Sequence, residues 1–94
     1  MQQYSPPHPG AFIRRVYLEP NALSSCEVAT RLQVNPSTFN RLINERSAVS
    51  PIMALKLSKV LGRSPESWLA MQRNFDLWGA KLKTDLSDCV SIKF

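Results

Sequence analysis

Three dipeptides constrain this chain more than any other feature: Asn35-Pro36, Ser50-Pro51 and Ser64-Pro65. In each, a side chain that can accept a hydrogen bond from free amides stands directly before proline. Asn and Ser are favoured helix N-caps, and proline at the first helical position loses nothing, because its missing N–H would be unpaired there anyway. Each pair is followed by apolar residues at helical spacing. A fourth start is Ser24, with Glu27 three residues on as a capping box. A fifth is Pro9-Gly10, ahead of Phe12, Ile13 and Val16, with Pro20 closing the segment. Five helices are therefore predicted, over roughly 9–18, 25–32, 36–44, 51–61 and 65–82.

The apolar stripes agree with a period of 3.6. Val28, Ala29 and Leu32 form one, Phe39, Leu42 and Ile43 another, and Met53, Ala54, Leu57 and Leu61 a third. Trp68, Leu69, Met71, Phe75 and Trp78 form the widest, and Gly62 stands where a left-handed C-cap belongs. Only Val90-Ser91-Ile92-Lys93-Phe94 alternates in a way that suits a short strand. The expected class is all-α: one domain over 9–83, a loose arm at 1–8 and a tail at 84–94.

Composition removes whole classes of function. In 94 residues, 44% are hydrophobic and 20% charged, which suits a small globular domain that needs nearly all its apolar residues for its own core. No run approaches the ~18 apolar residues of a membrane helix, so no membrane partner is expected. The start, MQQYSPPHPG, does not read as a secretory signal. A cytoplasmic protein with Cys26 and Cys89 reduced is the expectation. Two cysteines and one histidine, His8, fall short of the usual four ligands of a structural zinc site, so no cofactor or metal is expected. His8 has no Cys, Asp or Glu beside it to orient it for catalysis and reads as structural, capping or packing the first helix. Asp85 and Asp88 read as solvated tail residues and Cys26 as an inert thiol. Nothing here supports an enzyme.

The stretch 25–44, SCEVATRLQVNPSTFNRLIN, is where function concentrates. Two short helices are joined by about three residues. Ala29 on the inner face of the first lets the second cross at close range, Phe39 faces it, and Val34 plugs the turn. This is the spacing of a DNA-binding helix-turn-helix. Gln33 stands where the turn often takes glycine, so a left-handed side-chain-bearing residue is expected there. With Phe39, Leu42 and Ile43 buried, the outer face of the second helix keeps Ser37, Thr38, Asn40, Arg41 and Asn44. Such side chains satisfy the donors and acceptors of major-groove base edges, Arg favouring guanine and Asn adenine. Ser25, the Asn35 backbone and Arg46 are placed to hold phosphates. Residues 24–50 carry a net charge of only +1, and residues 51–83 carry +4. The basic stripe and the reading head do not coincide.

A longer pattern adds a family. HPGAFIRRVYLEP at 8–20, the run from Leu23 to Gln72 with its Ser50-Pro51, Met53-Ala54-Leu55 and Ser64-Pro65-Glu66 elements, and FDLWGA at 75–80 together resemble a HigA-type antitoxin. That group is a VapI-like branch of the phage-repressor-like helix-turn-helix proteins. The resemblance implies a compact five-helix lambda-repressor-like fold and a homodimer that binds a palindromic operator and represses its own operon. It also implies a partner toxin of the HigB type, a RelE-like ribonuclease that cuts mRNA. The family's recognition positions fall on Ser37, Thr38, Asn40 and Arg41. Three departures stand out: Ser25 for a frequent Gln, Asn44-Glu45-Arg46 for a frequent Asn-Gly pair, and Ser67 for a large aromatic.

The last helix carries more aromatic surface than a core this size covers, so part of Trp68, Met71, Phe75 and Trp78 is expected to bury against a twin. Two other readings share the residues. One is a stand-alone helix-turn-helix repressor without a toxin partner. The other is a protein-binding module whose helix-turn-helix no longer touches DNA.

Overall fold

A computed structural model describes residues 5–94. The elements are α1 (Pro9–Ile13), a π-helical turn (Arg14–Leu18), α2 (Glu19–Asn21), α3 (Ser25–Leu32), α4 (Pro36–Ile43), α5 (Pro51–Leu61) and α6 (Pro65–Lys83). The first three run on as one rod, so the described chain is five helical rods, with no strand at Val90–Phe94 or elsewhere.

The caps form as the dipeptides require. Ser24 Oγ accepts from Glu27 N (3.1 Å), Asn35 Oδ1 from Ser37 N (2.9 Å), Ser50 Oγ from Met53 N (3.1 Å) and Ser64 Oγ from Ser67 N (3.1 Å). Only half of the capping box closes, because the Glu27 carboxylate faces Arg31 at 3.9 Å. Gly62 ends α5 with φ +98°, a backbone that disfavours any side chain.

The first rod departs from the sequence reading. Pro20 does not end it; the helix continues to Asn21. A proline inside a helix lacks one N–H and crowds the preceding turn. Here the turn before it widens into π geometry, with Glu19 N–H bonded back to Arg14 O. Widening also shifts the register. Leu18, five residues after Ile13, is buried beside the same core, and Val16 is left 41% exposed. A strict 3.6 period misplaces Val16 for this reason.

Ile13, Leu32, Phe39, Leu42, Leu57 and Trp68 fill the centre of the core, each at most 1% exposed. The arm expected at 1–8 begins outside the described residues, and at its far end His8 is already part of the fold, 4% exposed. Gln72, also buried, ties α6 to the loop before α5: its Oε1 accepts from Val49 N (3.0 Å) and its Nε2 donates to Asp76 (3.0 Å).

Candidate nucleic-acid interface

α3 and α4 pack against each other, and Ala29 and Phe39 on these two helices are both fully buried. The turn between them is a left-handed cap. Gln33 has φ +60°, its N–H bonds Thr30 O (3.1 Å), and Val34 N–H reaches Ala29 O (3.1 Å). Lys56 Nζ donates to Gln33 O (3.2 Å), so one cation of the basic C-terminal half does reach this turn, at the negative end of α3. Replacing Gln33 with glycine relieves the left-handed backbone. Gln33→Gly removes about 1–2 kcal/mol of left-handed strain, less the roughly 0.4–1 kcal/mol lost to glycine's greater unfolded freedom, so unfolding stability is expected to rise by about 0.5–1 kcal/mol. An unchanged or lower urea midpoint would show that the side chain, not the backbone, sets this turn.

α4 presents the face expected of it. Ser37, Asn40, Arg41 and Asn44 are exposed, Thr38 is half-buried, and the helix has no carboxylate. The side chains are not equally available. Asn35 is occupied by capping and also accepts from Ser37 Oγ (2.8 Å). Asn44 donates to Asn40 O (2.8 Å) and accepts from Arg14, whose Nη2 also bonds Ile43 O (2.9 Å). Asn40 and Arg41 make no side-chain hydrogen bond among the described residues. Ser25 opens α3, half-buried, and Arg46 stands exposed just past α4. Glu45 adopts φ +62° in place of glycine, with Glu45 N–H bonded to Leu42 O (3.0 Å) and Arg46 N–H to Arg41 O (2.8 Å). A residue with a side chain thus takes a left-handed backbone at this position.

Two residues that set α4's position were not singled out from sequence as doing so. Arg14 clamps its C-terminal carbonyl from 29 positions away. Gly10 lies so close that a Cβ there would sit 1.9 Å from Leu42 O and 2.9 Å from Ile43 Cα. Neither contact has a local sequence signal.

His8 supports the same region from below. Its Nδ1 accepts from Gly10 N (2.9 Å), and its ring meets Phe75 edge-on at 4.9 Å. Burial holds its pKa below the ordinary value, opposed in part by Glu45, the Ser47 backbone and Asp76. A depressed histidine pKa means that the unfolded chain takes up the proton first as pH falls. Stability should therefore be constant above neutrality and decline once pH drops below about 6.5, by at most about 1.4 kcal/mol per pH unit. His8→Asn keeps a capping oxygen and should flatten that decline in urea titrations. An equal slope in both proteins would assign the effect to other groups.

The proposed dimer residues divide. Trp68 is 0% exposed inside its own chain, its Nε1 donating to Gly62 O (2.9 Å) and its ring near Phe12 (5.9 Å) and the Arg63 guanidinium (5.8 Å). It is a core residue and not available to a twin, because these neighbours already enclose it. Met71, Phe75 and Trp78 stay half-buried. No helix among the described residues is long and apolar enough to cross a membrane.

Comparison with known proteins follows this geometry. Residues 15–68 match the profile of the Helix-turn-helix family HTH_3. Virulence-associated protein I of Dichelobacter nodosus is 39% identical over 74% of this chain and 65% of its own length, so the chain spans just under two thirds of that relative. Antitoxin HigA-1 of Vibrio cholerae is 35% identical over 77% of this chain and 68% of its own. Among solved structures, antitoxin GraA superimposes with a TM-score of 0.86 at 34% identity, covering 98% of this chain and 99% of that one. A Pseudomonas aeruginosa protein in complex with its 28-bp operator DNA gives 0.81 at 26% identity, covering 93% and 99%.

Proposed function

The chain belongs to the helix-turn-helix family, in its HigA-type, VapI-like branch, and from that premise we propose that it is an operator-binding antitoxin. Two copies present α4 to successive major grooves about 34–36 Å apart, repress the operon that encodes them and neutralise an mRNA-cleaving toxin of the HigB type. Asn40 and Arg41 read base edges. Ser37 and Thr38 line the groove beside them, while Ser25, Arg46 and the Asn35 backbone hold phosphates. Asn44 acts indirectly, through its bonds to Asn40 and Arg14.

One observation carries this reading: α4 offers an exposed Asn and an exposed Arg without internal partners, on a helix with no carboxylate. A surface meant only for solvent gains nothing from excluding acidic residues beside a cation. The resemblance to a protein solved on its operator supports the DNA half, and relatives named antitoxins support the toxin half.

The test is a mobility shift with the DNA upstream of the gene, repeated over a salt series. Affinity should fall steeply with salt, because each neutralised phosphate releases counterions. Salt-independent or absent binding would leave a protein-binding module. Copurification of a small ribonuclease encoded alongside should accompany binding; a repressor that shifts DNA with no such neighbour would be the stand-alone form.

A further inference from the structure

α6 outruns the support of its own chain. Trp68 and Gln72 are buried, but from Arg73 to Phe94 no residue is. That stretch still carries Leu77, Leu82, Leu86, Val90, Ile92 and Phe94, all at least half exposed. The outline of the molecule reflects it: the radius of gyration is 16.1 Å, where a compact chain of this length has about 12 Å. A helix end that is apolar on more than one side is ordinarily buried on more than one side.

A trough runs along one side of this arm. A cavity of about 440 Å³ bordered by the apolar Val49, Leu69, Leu77 and Ala80 and by the polar Gln72, Arg73 and Asp76 continues, through the shared Leu77 and Ala80, into one of about 310 Å³ that ends at Thr84 and Leu86. Met71, Phe75 and Trp78 lie on the opposite side of α6, by helical spacing. The tail leaves the helix at Thr84 in extended conformation and turns at Leu86–Cys89, where Cys89 N–H bonds Leu86 O (3.0 Å); Val90 to Phe94 beyond the turn are all exposed. In an extended chain Val90, Ile92 and Phe94 share one face, about 7 Å apart, with Ser91 and Lys93 on the other. Those three residues span about 13 Å, and Leu69 to Ala80 spans about 16 Å of helix.

We propose that the trough receives residues 88–94 of a second copy, so that two chains exchange C-terminal arms about a two-fold axis. This rests on the dimeric reading above and specifies it: one side of α6 meets the partner's helix, and the other is covered by the partner's tail. Charge favours a second copy over an unrelated occupant. Lys81 and Lys83 close the helix, and Asp85 and Asp88 open the tail. Arms passing in opposite directions bring each chain's carboxylates alongside the other's ammonium groups.

Sedimentation equilibrium of the full chain tests it with two variants, a tail triple (Val90→Ser, Ile92→Ser, Phe94→Ser) and a trough variant, Ala80→Glu. Each should weaken dimerisation at least about tenfold, since several apolar contacts are lost per arm, with helical circular dichroism unchanged. Mixing the two variants leaves one intact arm in one intact trough and should restore dimers above either alone. Wild-type affinity in both variants would overturn arm exchange while leaving the dimer. A monomeric wild-type protein would overturn the dimer itself. A tail variant that dimerises normally but loses the toxin would reassign the tail to the toxin and overturn the proposal.

Discussion

Gly10→Ala is expected to cost about 3 kcal/mol of stability, the upper end of the range for overpacking a well-filled site, and to lower Tm by roughly 10–20 °C. The methyl group would meet Leu42 O at 1.9 Å and Ile43 Cα at 2.9 Å, both backbone atoms of α4. No side-chain rotamer relieves that contact, so either α1 or α4 must move. Alanine's better helix propensity returns at most about 1 kcal/mol, which does not reverse the sign. The movement has a functional consequence. α4 carries Asn40 and Arg41, so the folded fraction of the variant should also bind operator more weakly, even at low temperature. Trimming Leu42 or Ile43 side chains should not rescue it, because the clash is with the main chain. Thermal melts within 2–3 °C of wild type would show that the two helices part easily, and that their close approach does not set the position of α4.

Gly10 marks the boundary between what the sequence discloses and what it hides. Helix starts were legible because capping is local: Ser50 and Met53, or Ser64 and Ser67, lie three residues apart and need no knowledge of the fold. The face of α4 was legible for the same reason, since the burial of Phe39, Leu42 and Ile43 fixes which residues remain outside. What holds α4 in place was not. Gly10 meets Leu42, Arg14 meets Ile43, and Gln72 meets Val49, each across more than twenty positions. Patterns of period 3.6 carry no information at that range. The π turn was hidden differently. Pro20 is a strong stop signal, and only the tertiary pull of Leu18 into the core makes a widened turn cheaper than an end. Trp68 shows a third limit. Aromatic excess on α6 correctly suggests uncovered surface, but composition cannot say which ring is central, and the structure places Trp68 inside and Trp78 at the edge.

The availability of side chains on α4 sharpens what a substitution there should do. Asn44 and Asn35 are already engaged, so removing them perturbs the helix as well as any contact with DNA. Arg41 is different. Its guanidinium is exposed and has no partner within the described residues, so Arg41→Ala should leave the circular dichroism and urea midpoint unchanged. Its effect should appear only on DNA: a bidentate contact to guanine is worth about 1–3 kcal/mol. In the proposed dimer the residue occurs once per half-site, so the whole operator should lose about twice that.

Arg41→Lys separates base reading from charge. Lysine keeps the cation but cannot form the paired, planar contact. If Arg41 reads a base, the lysine variant should keep the wild-type salt slope and yet lose discrimination between the operator and one with that half-site base changed. If Arg41 only neutralises a phosphate, lysine should restore affinity on every sequence, and alanine should reduce the salt slope by about one per half-site. An alanine variant that binds operator as tightly as wild type, at all salt concentrations, would remove Arg41 from the interface altogether. Asn40 would then be left as the only unengaged exposed side chain on this helix able to distinguish one base pair from another by two hydrogen bonds. One such contact cannot set a chain of this modest charge apart from non-specific binders.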